Sequence, residues 1–278
     1  MADGPVTSLA LGHAGRAAVL IGATARLFDG KRWVTLEPTL PTGALQIFFG
    51  RDNEPRVMGF SPRESGEPTQ VYLRCRNHRC QPAPDEIGKL GGTRGALYGV
   101  LGFDDPEVVC RAGQICLVKR VSGWKSIPAH AAPARVLLSA GTAFALHPER
   151  IERVTDAGFV ALEPARAFRE PRAVALQPDG VLWVIDGAGT VLVHRLGEQW
   201  LEEPSPLRSA RGLWSHASDD LWLVGENGAA HFDGKRWSCV PDVPGPLGFV
   251  AESGEQVWLA GQSGIFLAER VRSLRNHD

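Results

Sequence analysis

The chain lacks the features that would carry it into or across a membrane as a helix. Among its 278 residues there is no run of 18 apolar ones, and such a run is what a spanning helix needs. The start, MADGPVTSLALGHAG, has neither a basic leader nor a long apolar stretch, so as written it is not a signal peptide. One-sided charge is missing too. Thirty Lys and Arg stand against 31 Asp and Glu, and a net charge of -1 creates no global field for nucleic acid or anionic membrane. No segment sustains apolar residues at i, i+3, i+4 and i+7, so amphipathic helices are not expected. Phosphate-binding loops, dinucleotide fingerprints, zinc-protease helices and nucleophile elbows are all absent. QPDG and DGAG resemble fragments of calcium loops, but regularly spaced oxygen ligands are missing. No cofactor is therefore expected.

What the chain has in quantity is turn-forming residues, 32 Gly and 20 Pro. One hexapeptide, FDGKRW, occurs twice, at Phe28–Trp33 and Phe232–Trp237. Around the second copy, RGLWSHASDDLWLVGENGAAHFDGKRWSCVP divides into four short apolar runs separated by SDD, ENG and DGK. Asp-Gly between apolar runs is a strong hairpin signal, because the turn needs positive φ. The same four-strand pattern recurs along the chain at about 40 residues, a typical propeller-blade length.

The expected units span residues 5–41, 42–90, 91–132, 133–168, 169–208, 209–244 and 245–278. Three anchors support this register. Second strands carry Trp183, Trp222 and Trp258. Fourth strands carry Trp33, Trp124, Phe159, Trp200 and Trp237 at one position. Units end in Pro38, Pro128, Pro164, Pro204 and Pro241. The expectation is an all-β fold, a single seven-bladed β-propeller with four antiparallel strands per blade.

LWLVGENGAAHFDGKRW and VWLAGQSGIF resemble the repeats of bacterial regulator-type propellers, which read roughly LW-x-G-T-x-x-G-L-x-x-F-D-G-x-x-W. They are also similar to propeller repeats common in myxobacterial proteins. VALQPDGVLWVIDGAGTVLVHRL in the fifth unit resembles an NHL repeat. Unit two departs most, with the insertion SPRESGEPT and Cys80 near the Trp position. The resemblance implies a scaffold with a binding surface and carries over no catalytic residue.

In this register FDGKRW is structural. Phe28 and Phe232 face neighbouring blades, Asp-Gly turns the chain, and Trp33 and Trp237 bury aromatic area between sheets. A single site used twice would need units one and six to be neighbours, and unit seven separates them.

Cys75 and Cys80, and likewise Cys110 and Cys116, straddle predicted hairpins within reach of disulfide geometry. Disulfides would indicate an oxidising compartment; free thiols would fit a cytoplasmic chain. Cys75, His78 and Cys80 also offer metal ligands, without the familiar spacing or a fourth group. Cys239 stands alone and is expected to face a neighbouring blade. His13, His130, His147, His194 and His231 are scattered over the units.

WSHASDD places Ser215, His216, Asp219 and Asp220 close in sequence. Neighbours on one strand point to opposite faces, which argues against a triad.

The candidate site comes from the arginines. Inner strands of units three to six begin with Arg94, Arg135, Arg172 and Arg211, with Arg166, Arg169 and Arg208 in nearby loops. The period places them as one arc on the top face, while the opposite-face turns RDNE, FDDPE, QPDG, ASDD and ESGE are acidic. Guanidinium forks suit carboxylates and phosphates. Tyr98, Trp214 and His216 are expected near the channel.

The leading expectation is a non-catalytic scaffold that binds another protein, or an acidic segment or anionic ligand, through that face. A second is an extracytoplasmic binder of carbohydrate or small ligands. A third is a metal-dependent enzyme of the lactonase or lyase type. That one needs inward Asp, Glu or His on several first strands, which instead show mainly Leu, Val, Phe and Gly.

Overall fold

The computed structural model describes residues 4–38, 40, 44–50, 52–61, 69–83, 97–100, 108–111, 115–120, 123–128, 133, 135–140, 142–155, 157–162, 168–195, 198–253 and 256–269. Among these the strands form six four-stranded sheets and one three-stranded sheet, each an antiparallel meander of consecutive strands.

Sheet 1 holds β1 (Val6–Leu11), β2 (Ala17–Ile21), β3 (Thr24–Phe28) and β4 (Trp33–Thr35). Sheet 2 holds β5 (Ala44–Phe49), β6 (Pro55–Ser61), β7 (Thr69–Arg76) and β8 (Arg79–Pro82). Sheet 3 holds β9 (Leu97–Val100), β10 (Val108–Arg111), β11 (Ile115–Arg120) and β12 (Gly123–Pro128). Sheet 4 holds β13 (Arg135–Ser139), β14 (Thr142–Leu146), β15 (Ile151–Thr155) and β16 (Gly158–Ala161). Sheet 5 holds β17 (Ala173–Leu176), β18 (Leu182–Ile185), β19 (Val191–His194) and β20 (Leu201–Glu203). Sheet 6 holds β21 (Ala210–Ala217), β22 (Asp220–Gly225), β23 (Gly228–Phe232) and β24 (Trp237–Cys239). Sheet 7 holds β25 (Leu247–Ser253), β26 (Gln256–Gly261) and β27 (Gly264–Glu269).

From sheet 1 to 2 and from sheet 3 onward, the first strand of a sheet meets the first strand of the next. β1 packs on β5, β9 on β13, β13 on β17, β17 on β21 and β21 on β25, and β25 returns to β1. The last sheet thus closes on the first by packing, with no strand exchanged between them among the described residues. The second strands β2, β14, β18, β22 and β26 are buried on both faces, β22 along its whole length. Sheet faces become the core, so the apolar clusters lie between sheets. One joins Trp183 and Ile185 of sheet 5 to Leu213, Leu221 and Leu223 of sheet 6.

Buried polar groups pin neighbouring sheets together. Ser8 Oγ accepts from the Ile47 N–H at 3.2 Å, and Ser139 Oγ from the Leu176 N–H at 2.8 Å. A buried donor left unpaired costs more than the bond itself yields, which favours such pins.

The two FDGKRW copies form the same object. Each Asp accepts at Oδ1 from two backbone N–H groups, those of Lys31 and Arg32 in one copy and of Lys235 and Arg236 in the other. Gly30 and Gly234 follow at φ +99° and +88°, the region a side chain disfavours. The turn returns the chain so that Phe and Trp flank a tryptophan of the preceding sheet. Trp33 meets Trp258 edge-on at 5.9 Å and 86°; Trp237 meets Trp183 at 5.9 Å and 86°. Phe28 lies 5.3 Å from Trp258, and Phe232 lies 5.5 Å from Trp183. Lys31, Arg32, Lys235 and Arg236 are exposed.

Trp200 sits just ahead of β20 and packs within its own sheet and the segment entering it, edge-on to Phe168 at 5.1 Å and stacked on His194 of β19 at 4.6 Å. Cys239 departs from expectation: it is free and exposed. It ends the outermost strand of sheet 6, where the sheet edge meets solvent rather than a neighbouring sheet.

Candidate functional site

Sheets 5 and 6 are entered by homologous steps, Phe168-Arg169-Glu170-Pro171-Arg172 and Leu207-Arg208-Ser209-Ala210-Arg211. Phe168 and Leu207 are buried and anchor the steps. Glu170 and Ser209 then take positive φ, 50° and 47°, which turns the chain into the inner strand. In each step the first arginine is exposed and the second half-buried.

The backbone is held from the neighbouring turn of the same sheet. The Arg169 carbonyl accepts from the Gly187 N–H, and the Arg208 carbonyl from the Glu226 N–H at 3.2 Å. Asn227 Oδ1 accepts from the Arg208 N–H at 2.9 Å. The Arg172 N–H donates to the Ile185 carbonyl at 2.8 Å. The two steps are neighbours: a Cβ added to Gly189, in the β18–β19 turn, would lie 2.6 Å from Ser209 Cα. Two arginine pairs therefore stand side by side on rigid loops.

Arg135 is the first residue of β13, opposite Leu146, at the matching place in sheet 4. Arg94 and Arg166 lie outside the described residues. Arg211 is not free, because its guanidinium meets Glu226 at 3.0 Å. That partner was not legible in the sequence, being 15 residues away on another turn of the same sheet.

The opposite face differs from the acidic rim that its turn sequences suggest. Burial opposes ionisation of Asp52, but Arg56 and Arg74 hydrogen-bond its carboxylate and hold its pKa far below the ordinary value. Arg76 approaches at 3.5 Å. The turn is thus neutralised by cations from β6 and β7. Asp220 is buried and accepts from Trp222 Nε1 at 2.9 Å and from His231 Nε2 at 2.8 Å. Asp179 Oδ1 accepts from the Val181 N–H at 3.2 Å. These carboxylates hold turns and strands.

WSHASDD is split among separate partners. Ser215 Oγ donates to the Ala217 carbonyl at 3.1 Å. His216 Nδ1 meets Glu252 of β25 at 3.1 Å, and Trp214 Nε1 donates to the other oxygen of Glu252 at 3.3 Å. Glu252 is thus a polar pin between sheets 6 and 7. Trp214 is half-buried and His216 exposed; the Tyr98 side chain lies outside the described set.

Cys75 and Cys80 oppose each other across β7 and β8 and form a disulfide. This leaves no thiolate there for a metal. Cys116 is also disulfide-bonded, and Cys110 faces it across the β10–β11 ladder. Among the described residues, no three His, Cys, Asp or Glu side chains gather as a metal site.

Comparison with known proteins places the fold. No protein-family model and no curated protein sequence matches the chain. Among solved structures, one described as YCF48 bound to D1 peptide is similar with a TM-score of 0.66 at 18% identity, covering 96% of this chain and 93% of that one. Virginiamycin B lyase from Staphylococcus aureus gives 0.64 at 13% identity over 96% and 94%. The WD40 β-propeller domain of Doa1 gives 0.59 at 9% over 95% and 92%. At such identities the likeness concerns the fold alone, and with the meandering sheets it makes this chain an all-β propeller.

Proposed function

We propose that the chain is a seven-bladed propeller acting as a non-catalytic scaffold, and that its top face binds an acidic segment of another protein. Each of the seven sheets is one blade, sheet 7 included. The observation that carries the reading is the doubled Arg-x-x-Arg step at Arg169/Arg172 and Arg208/Arg211, on adjacent rigid loops. Arg135 extends it toward sheet 4, and Arg94 and Arg166 belong to the same arc by register. A planar guanidinium on a fixed backbone is pre-organised for carboxylates, so less freedom is lost on binding. A similar propeller described as bound to a peptide, D1, fits this mode of use.

The test is anisotropy with a short fluorescein-labelled Glu/Asp-rich peptide. Arg169→Glu with Arg208→Glu should weaken binding by at least about 10-fold, as should Arg135→Glu with Arg172→Glu. Wild-type affinity should fall steeply with salt. Unchanged affinity in both double variants, with native circular dichroism, rejects the arginine face.

The Cys75–Cys80 disulfide supports an oxidising compartment for this scaffold. Thiol counting on protein from its native cells should find Cys75 and Cys80 unreactive. Full alkylation without reductant would place it among reduced proteins.

A further inference from the structure

A cleft of about 310 Å³ opens between sheets 5 and 6 on the face opposite the arginine steps. Its volume is at the lower end of small-ligand sites. The turns that ring it include β17–β18 at Asp179, β21–β22 at Ser218 and β23–β24 at Gly234.

Its floor is apolar and aromatic. Trp183 and Phe232 contribute ring surface, and Val181 and Val193 line the wall. Leu201 borders it at 60% exposure, an apolar side chain that nothing covers among the described residues.

The polar lining is unbalanced. Asp179, Glu198 and Glu203 bring three carboxylates against the single guanidinium of Arg195. Gln177 is already committed: its Oε1 accepts from Trp183 Nε1 at 3.0 Å, and its Nε2 donates to the Ala217 and Ser218 carbonyls. Glu203 is half committed. One carboxylate oxygen accepts from Trp237 Nε1 at 3.3 Å, which orients the group; the other has no partner among the described residues.

We propose that this cleft binds an organic cation, the ammonium or guanidinium end of an aliphatic chain. The stem covers Leu201 and the valines, the charged head meets the oriented Glu203, and the ring faces add cation–π attraction. The head comes either from a lysine or arginine side chain of a protein or from a free alkylamine. The cleft differs from the top face in location and in the sign of its ligand.

The test is titration of the whole chain with butylammonium, butylguanidinium and neutral butanol, followed by tryptophan fluorescence, since Trp183 lines the cleft and Trp237 donates to its Glu203. The cations should bind at least about 5-fold more tightly than butanol. Glu203→Gln should weaken the cations by about 5-fold and leave butanol unchanged. Arg195→Gln should strengthen them by about 2-fold. If Glu203→Gln does not fold, Glu198→Gln on the exposed loop should weaken cation binding in the same direction. A lysine-bearing pentapeptide binding more tightly than butylammonium assigns the site to a protein side chain; the reverse order assigns it to a free amine. Equal binding of cation and butanol, or no response to any of these substitutions, overturns the proposal. Arg169→Glu with Arg208→Glu should leave cation binding untouched, which separates failure here from failure of the top-face reading.

Discussion

Two inter-sheet contacts, sheet 5 against sheet 6 and sheet 7 against sheet 1, are built from the same words and finished differently. Both wedge a second-strand tryptophan between the Phe and Trp of FDGKRW, with edge angles of 86° in each. In the first, Trp183 Nε1 donates to Gln177, which reaches on to the sheet 6 turn. In the second, Trp258 Nε1 is buried without a partner among the described residues. A repeated aromatic motif fixes shape and leaves the indole N–H to whatever the local turn supplies. The residue six positions before Trp183 is Gln177; six before Trp258 it is Glu252, already engaged by Trp214 and His216 of sheet 6.

Removing either central ring should produce the largest effect. Trp183→Ala and Trp258→Ala should each destabilise by about 3–5 kcal/mol, read as urea midpoints at constant m. A loss below about 1 kcal/mol at either would deny that the trio is core. Next, Gln177→Ala should cost about 1–3 kcal/mol, because it orphans the buried Trp183 N–H and removes the side-chain bond to the sheet 6 turn. Smaller still is the contrast between conservative replacements. Trp183→Phe should cost about 1 kcal/mol more than Trp258→Phe, since only the first breaks a hydrogen bond. Equal costs would mean that the two contacts differ in drawing only.

The smallest effect should be common to both contacts. Backbone N–H groups of Arg32 and Lys31 hold the Asp29 pKa below its ordinary value of 3.8, and those of Arg236 and Lys235 do the same for Asp233. With the folded pKa depressed, the unfolded chain binds the proton more readily. Stability is therefore complete above about pH 4 and lost as pH falls through the folded pKa. Asp29→Asn and Asp233→Asn should each flatten the acid limb of stability against pH by a similar small amount. Flattening by only one of them would show that the two turns are not equivalent.

Much of this was legible in sequence because a propeller repeats locally. A 40-residue period, Asp-Gly turns and aromatic anchors report contacts within one sheet or with its neighbour, and short-range patterning encodes those. That Trp33 and Trp237 lie between sheets follows from the register; that each packs on the tryptophan of the preceding sheet is seen only in the fold. Charges were read less well. The acidic turn at Asp52 looked like a surface feature, yet Arg56 and Arg74 close over it. Arg211 looked available, yet it pairs with Glu226. The arginines and acids meet across strands, and their pairing depends on which side chains the twist brings to one edge.

By itself the sequence determined the all-β character, the period and the positions of the turns, because alternation, glycine placement and Asp-Gly chemistry are properties of adjacent residues. Only the tertiary structure decided how the last sheet closes on the first, which buried carboxylates pin neighbouring sheets, and that an aromatic-floored cleft opens between sheets 5 and 6. Those depend on distances between residues tens of positions apart, which packing sets and no local pattern records.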